Sequence, residues 1–420
     1  MVLQQTHADS TLAFLMEGYR FGQRRFDRFE ADAFRTRIAL RPATLMRGPS
    51  AARFFYSDDN FTRAGAMPPT TKRLLQDEGS VQSLDGHHHR HRKTLFLPLA
   101  DVTSVETARE LLRDEWRRAV TLWSTRPNVV LMDELPLVFT RVACRWAGID
   151  VPAARVESLA DELSSMIHYA GSTGPGMWAA LARRRATEQW AAELISEVRR
   201  GTITPLPQSM LERIADFVDA DGERLDLDVA AVELINVLRP TVAVARFVVW
   251  AAWALAHAPQ WRQRVVASDE VSRAVAQEVR RFAPFFPAVA GRATRTLEWQ
   301  GHTFEEGAWV LLDIFATNRD PSVWARPDSF DPGRFMGDEP DPNALIPQGA
   351  GDVADGHRCP GEDATVALLD EAIRLLERDT DYSVPHQDLG VRMTRMPAAP
   401  RSGMVICDVM PVAADARRPA

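Results

Sequence analysis

Pro347-Gln-Gly-Ala-Gly-Asp-Val-Ala-Asp-Gly-His-Arg-Cys-Pro-Gly-Glu362 is the stretch whose reading decides the fold. It sets one cysteine, Cys359, at the end of a glycine-rich loop and directly ahead of a predicted helix. Pro360 suits a first helical turn, and Glu362 and Asp363 suit the positive end of a helix dipole. Val366, Leu369, Ile373 and Leu376 then recur at helical spacing, which predicts a buried face. A cysteine at a helix N-terminus is biased toward thiolate, the form that binds metals. Glycines at 349, 351, 356 and 361 let backbone approach a bulky flat group, and His357 and Arg358 add positive charge beside the sulfur. One thiolate on such a loop is what a heme iron needs on its proximal side. The loop also reads as an inert cysteine, since a free Cys is more often a small buried hydrophobe than a ligand. A phosphate loop does not fit, because no Gly-Lys-Ser/Thr follows.

The 420 residues are 45% apolar and 25% charged, the make-up of a soluble globular protein with a large core. A net charge of −7 leaves no basic footprint for nucleic acid or for an anionic membrane surface. Cys144, Cys359 and Cys407 lie far apart, which argues against a disulfide framework and for a reducing compartment. Met1 to Glu17 lacks the basic start and long apolar run of a signal peptide. The longest apolar run, Phe247–Ala256, is well short of the roughly 18–20 residues that span a bilayer. The expectation is a soluble, cytoplasmic protein with no membrane span.

One helix-rich domain over 1–420 is predicted, with small β regions. Thr11–Arg20 reads as helix, and Ala43–Pro49 with Ala51–Tyr56 as a small β region. Glu106–Trp123, Leu135–Ala147 and Ala154–His168 carry amphipathic helical periods. Phe285–Gly291 reads as an apolar bend, Arg292–Gly301 with His302–Leu311 as a hairpin, and Leu389–Val409 as a second β region. In Gln82–Phe96, Asp85-Gly86 marks a turn before a helix rich in His, Arg and Lys. Three readings stay open for that helix: a metal between His87 and His91, a solvated basic face, or His89 and Lys93 holding an anion such as a heme propionate.

Asp228–His257 predicts a central helix, apolar on nearly every face, with Asp228 as N-cap. Its polar interruptions are Glu233, Asn236, Arg239, Thr241 and Arg246. Pro240 removes a helical hydrogen bond and bends the helix, at a cost of about 3 kcal/mol. Arg239 cannot shed its proton, so buried there it needs an anion. Two anions are open: Glu233 in an internal ion pair, or a ligand carboxylate gripped by parallel hydrogen bonds.

Glu278-Val-Arg-Arg281, then Asp331-Pro-Gly-Arg334-Phe335, then Cys359-Pro-Gly361 form an ordered set that resembles the cytochrome P450 signature. The resemblance covers essentially the whole chain. It implies the P450 fold, mainly α, with heme b between the central helix and the cysteine loop. It implies Cys359 as the axial iron ligand and a Glu278–Arg281 pair joined by Arg334. His89, Lys93 and Arg292 are implied as propionate partners. Asp352 departs from the pattern, standing where the common loop has phenylalanine.

Leu238–Ala245, Ile346–Gly351 and Gly86–Lys93 together resemble the bacterial fatty-acid peroxygenase branch, which uses hydrogen peroxide in place of dioxygen and a reductase. Leu234–Ala245 lacks the acid–alcohol pair of ordinary P450 monooxygenases and offers Arg239-Pro240 instead. The resemblance implies hydroxylation of a fatty acid or other carboxylic acid at the α or β carbon, without redox partner proteins. It places Arg239 and Pro240 at the catalytic centre. The substrate carboxylate, held by Arg239, then moves the proton that peroxide cleavage requires. Gln82 matches a position where hydroxylating members carry glutamine and alkene-forming decarboxylases carry histidine, so hydroxylation is favoured. Gln76 stands where relatives tend to have a bulky apolar residue. Phe285 and Val289 are expected in the substrate pocket or, equally, in plain core. The competing readings are a decarboxylase forming terminal alkenes, a conventional monooxygenase with redox partners, and a heme-based gas sensor or carrier.

Overall fold

A computed structural model describes residues 5–412, Asp58 and Glu78 apart. Its axis is the helix Leu227–His257, buried on almost every face and unbroken by Pro240. The helix begins one residue earlier than expected. Asp226 precedes it, and Asp228 lies in the first turn, facing the positive dipole end rather than capping it. Length and composition alone would let this helix cross a membrane, but 89% of its most apolar window is buried inside the fold. The helices Leu131–Ala147, Ala153–His168, Pro175–Arg199, Asp269–Phe282 and Glu362–Arg378 pack against it. An all-round apolar helix is thereby the centre of a helical core.

A six-stranded sheet runs in the order Gln5–Asp9, Ala33–Ile38, Arg41–Met46, Trp309–Asp313, Ala288–Ala293, Phe61–Thr62. Smaller sheets join Thr380–Ser383, Val405–Pro411 and Asn128–Val130, and pair Leu297–Trp299 with His302–Phe304. Several expectations change. Ala51–Tyr56 is helix, not strand: Pro49 opens a helix Pro49–Tyr56, and Ala51, Ala52 and Phe55 are its buried residues, a helical rather than alternating spacing. The expected bend after Phe285 contains the strand Ala288–Ala293, and the hairpin shrinks to Leu297–Phe304. Thr11–Arg20 splits into Thr11–Glu17 and Arg20–Phe29 at Gly18. Gly18 has φ +58°, and a Cβ there would lie 2.0 Å from the Met393 carbonyl oxygen, so only glycine fits.

The predicted ion cluster is present. Arg281 donates to both carboxylate oxygens of Glu278, at 2.6 and 2.7 Å. Its remaining N–H groups reach the carbonyls of Asn318, Pro327 and Ser329 at 2.8–3.1 Å. Arg334 Nε stands 3.6 Å from Glu278, which also accepts the Asp331 N–H at 2.8 Å. This cluster ties Asp269–Phe282 to the chain segments that lead into the cysteine loop.

Candidate active site

A cavity of about 200 Å3 lies between the central helix and the cysteine loop. Asn236, Val237, Pro240, Thr241 and Val244 present one helical face to it, and Cys359, Gly361, Ala364 and Leu368 form the opposite wall. Gln82, His89 and Lys93 close one side. The loop approaches closely because of its glycines. Gly349 (φ +93°) and Gly351 (φ +79°) pass against Tyr56, where a Cβ would meet the ring at 2.9 and 3.1 Å.

Helix Glu362–Arg378 starts two residues later than Pro360, with Gly361 as N-cap and Glu362 and Asp363 in its first turn. Leu369, Ile373 and Leu376 are fully buried, as the spacing predicts. The charge around the sulfur differs from expectation. Burial pushes the Cys359 thiol up, opposed by the Gly361 amide, Lys93 and Arg280. Burial holds His357 below its usual range, and Arg358 is paired with Glu362 at 2.6 Å. Neither supplies free positive charge to the sulfur. A bound metal cation is what turns such a thiol into thiolate.

His89 and Lys93 lie side by side at the cavity. Burial pushes His89 down to about 3 and Lys93 down to about 8. Lys93 Nζ donates to the carbonyls of Gly356 and, at 2.7 Å, Arg358. The His89 ring stacks on His357, centroids 3.9 Å apart. A second cavity of about 260 Å3 shares both histidines and adds Arg63, whose guanidinium sits over Phe55 and Tyr56. Arg292, expected beside them, faces elsewhere: it donates to the carbonyls of Gly65 and Gly307 and lines neither cavity. Thr62 pairs with Arg292 across the sheet, so the next residue, Arg63, emerges on the other face. The helix also places His87 and His91 with rings stacked at 6.2 Å, and His91 contacts the Val218 carbonyl.

Arg239 is buried, and Glu233 is not its partner. Glu233 binds Arg92 at 2.9 Å and the Val81 N–H at 2.8 Å. Arg92 also pairs with Asp219. Arg239 has no ion pair among the described residues. Two of its five donors are used: one to Asn236 Oδ1 at 3.2 Å, and a long one to the Leu74 carbonyl at 3.4 Å. Burial, with Arg184 nearby, pushes the guanidinium down to about 9. Asn236 joins it to the cavity and also donates to Gln82 Oε1 at 3.1 Å. Pro240 faces the cavity and, lacking an N–H, leaves the Asn236 carbonyl without its helical donor. The Thr241 hydroxyl is spent on the Val237 carbonyl at 2.9 Å.

Phe285 and Val289 do not line the cavity. Phe285 is buried against Phe247 and Phe286, and Val289 packs on the Phe55 cluster. Gln76 is half-buried at the end of the short helix Pro69–Leu75. Asp352, exposed, accepts from the Ala354 and Asp355 N–H groups at 2.6 and 2.8 Å, a turn-capping role that phenylalanine lacks. Sequence reading missed Arg63 and noted Asn236 only as a polar interruption.

This donor set fits a heme group. One thiol faces the cavity, and His89, Lys93 and Arg63 gather at one edge, where two propionates need cations. The comparisons agree with that fit. The family model described as Cytochrome P450 matches residues 265–364. Cytochrome P450SP alpha (CYP152B1) superposes with a TM-score of 0.94 at 40% identity, over 97% of this chain and 100% of its own. Cytochrome P450 OleT, in a complex with arachidonic acid, gives 0.95 at 32% identity, over 98% and 99%. Cytochrome P450EX alpha (CYP152N1), with myristic acid, gives 0.94 at 34% identity, over 98% and 100%.

Proposed function

The chain belongs to the cytochrome P450 family, in the branch of P450SP alpha, P450EX alpha and OleT, and on that premise we propose a hydrogen-peroxide-dependent fatty-acid hydroxylase whose substrate completes its own catalytic site. The observation that carries the proposal is Arg239, a buried guanidinium with three unused donors and no carboxylate partner among the described residues. Fatty acids in the complexes of two relatives support a carboxylate as the missing anion.

Heme bound through Cys359 supplies the oxidising chemistry, and thiolate electron donation favours O–O cleavage. The protein's part is positioning and proton control. Arg239 holds the substrate carboxylate by parallel charge-assisted hydrogen bonds. That carboxylate takes a proton from one oxygen of hydrogen peroxide and returns it to the other. The twice-protonated oxygen leaves as water, and the remaining one ends as a hydroxyl on the α or β carbon. One acid and one peroxide thus give one hydroxy acid and one water. Thr241 has no acid beside it with which to form a proton relay. Gln82 contributes a neutral amide, which hydrogen-bonds without delivering a proton, and this favours hydroxylation over loss of carbon dioxide.

The test is turnover of myristic acid by the heme-loaded protein with hydrogen peroxide, without NADPH or redox proteins. 2- or 3-hydroxymyristic acid is expected. A terminal alkene as main product would move the reading to decarboxylation. Product only with NADPH and electron-transfer partners would move it to a conventional monooxygenase.

A further inference from the structure

Asn236 has the most constrained set of partners of any polar group at the cavity. Arg239 Nη2 donates to its Oδ1 at 3.2 Å. Its Nδ2 donates to Glu233 Oε2 at 2.9 Å and to Gln82 Oε1 at 3.1 Å. These roles cannot be exchanged. A guanidinium only donates, so the amide edge facing Arg239 has to be the carbonyl. The NH2 edge then faces Glu233 and Gln82. Gln82 has to meet an NH2 with its own carbonyl. The Gln82 NH2 is left as the end with no partner among the described residues, on a side chain that lines the cavity. Glu233 is itself locked by Arg92 and the Val81 N–H. Network logic, rather than the position of any single atom, therefore fixes the amide orientations.

We propose that Asn236 is a positioning residue that sorts the donors of the site: it leaves the Gln82 NH2 for the cavity and holds the Arg239 guanidinium beside it, so that one substrate carboxylate meets donors from two elements of the fold. This rests on the reading of Arg239 as a carboxylate receptor. It also defines the ligand class more narrowly. A carboxylate offers two equivalent charged acceptor oxygens to two converging donors, whereas an ester or amide offers one strong acceptor. Asn236 touches neither the sulfur nor the peroxide, and acts through Gln82 and Arg239.

The experiment measures calorimetric binding of myristic acid to the heme-loaded protein, together with KM and kcat for peroxide-driven turnover. Asn236→Leu should weaken acid binding roughly tenfold, the scale of one charge-assisted hydrogen bond, at unchanged heme content. KM should rise more than kcat falls. Asn236→Leu also leaves one Glu233 oxygen bare, so Gln82→Met provides a variant that does not touch Glu233. It should weaken binding several-fold by itself. If Asn236 acts through Gln82, the double variant loses less than the sum of the two single losses. Fully additive losses, or both single variants binding within twofold of the parent while Arg239→Ala binds no acid, would overturn the sorting role alone. Normal binding by Arg239→Ala would overturn the carboxylate reading, and this proposal with it.

Discussion

Two buried arginines, Arg281 and Arg239, show how differently one fold can treat the same side chain. Arg281 spends all five N–H donors: on the two oxygens of Glu278 and on the carbonyls of Asn318, Pro327 and Ser329. Arg239 spends two, both on neutral acceptors. Desolvation makes a buried charge costly unless it is paired. Arg281 is offset within the protein and serves the fold. Arg239 is not, and its deficit is filled only when an anion arrives. Asp313 is a third case. It is a buried carboxylate with no ion pair among the described residues, and burial pushes it up to about 7. A carboxylate can escape the penalty by taking up a proton, whereas a guanidinium cannot shed one near neutral pH.

The contrast can be broken by substitution. Arg239→Ala should lower peroxide-driven kcat/KM by about 10² to 10⁴, the range for loss of a positioned acid–base group, with heme content retained. Wild-type turnover in that variant would end the mechanism. Arg281→Met should cost about 3–5 kcal/mol of stability by stranding Glu278. Arg239→Met, measured by the same denaturant titration without substrate, should raise stability instead. Equal losses in both variants would erase the distinction.

Asp313 tests the escape route. Its folded value of about 7 lies above the usual 3.8. Between these, the folded protein holds a proton that the unfolded chain has released. Stability is therefore fully present below about pH 4 and declines as pH rises through about 7. The slope should flatten in Asp313→Asn, whose removal of at most about 4 kcal/mol of pH-linked stability is read from unfolding midpoints across that window. Ligand linkage gives a smaller effect. Myristic acid at about a hundred times its Kd should stabilise the parent by about 2.7 kcal/mol, and Arg239→Met not at all.

Much of this was legible from residues close in sequence. Glu278 and Arg281 are one helical turn apart, and Arg334 and Cys359 follow in fixed order, so the proximal cluster could be read without a structure. Arg239-Pro240 was legible for the same reason. Its partner was not. Glu233 lies on the same helix as Arg239, yet it is taken by Arg92 from the helix Gly86–Lys93. Only the tertiary packing decides between those two cations. Arg63 was missed and Arg292 chosen in its place because the two emerge from paired strands on opposite faces. Period-2 alternation decides which of them reaches the heme edge, and that requires the register. Ala51–Tyr56 was misread because a short apolar run fits strand and helix alike until Pro49 is recognised as a helix start.

The most direct test of the central claim leaves the protein untouched and removes the charge from the substrate. The heme-loaded protein is given hydrogen peroxide with either myristic acid or methyl myristate, and hydroxylated product is quantified. The acid should yield 2- or 3-hydroxymyristic acid, and the ester, with no carboxylate to pair with Arg239 or to carry the proton, should yield essentially none. Comparable turnover of the ester would contradict the account.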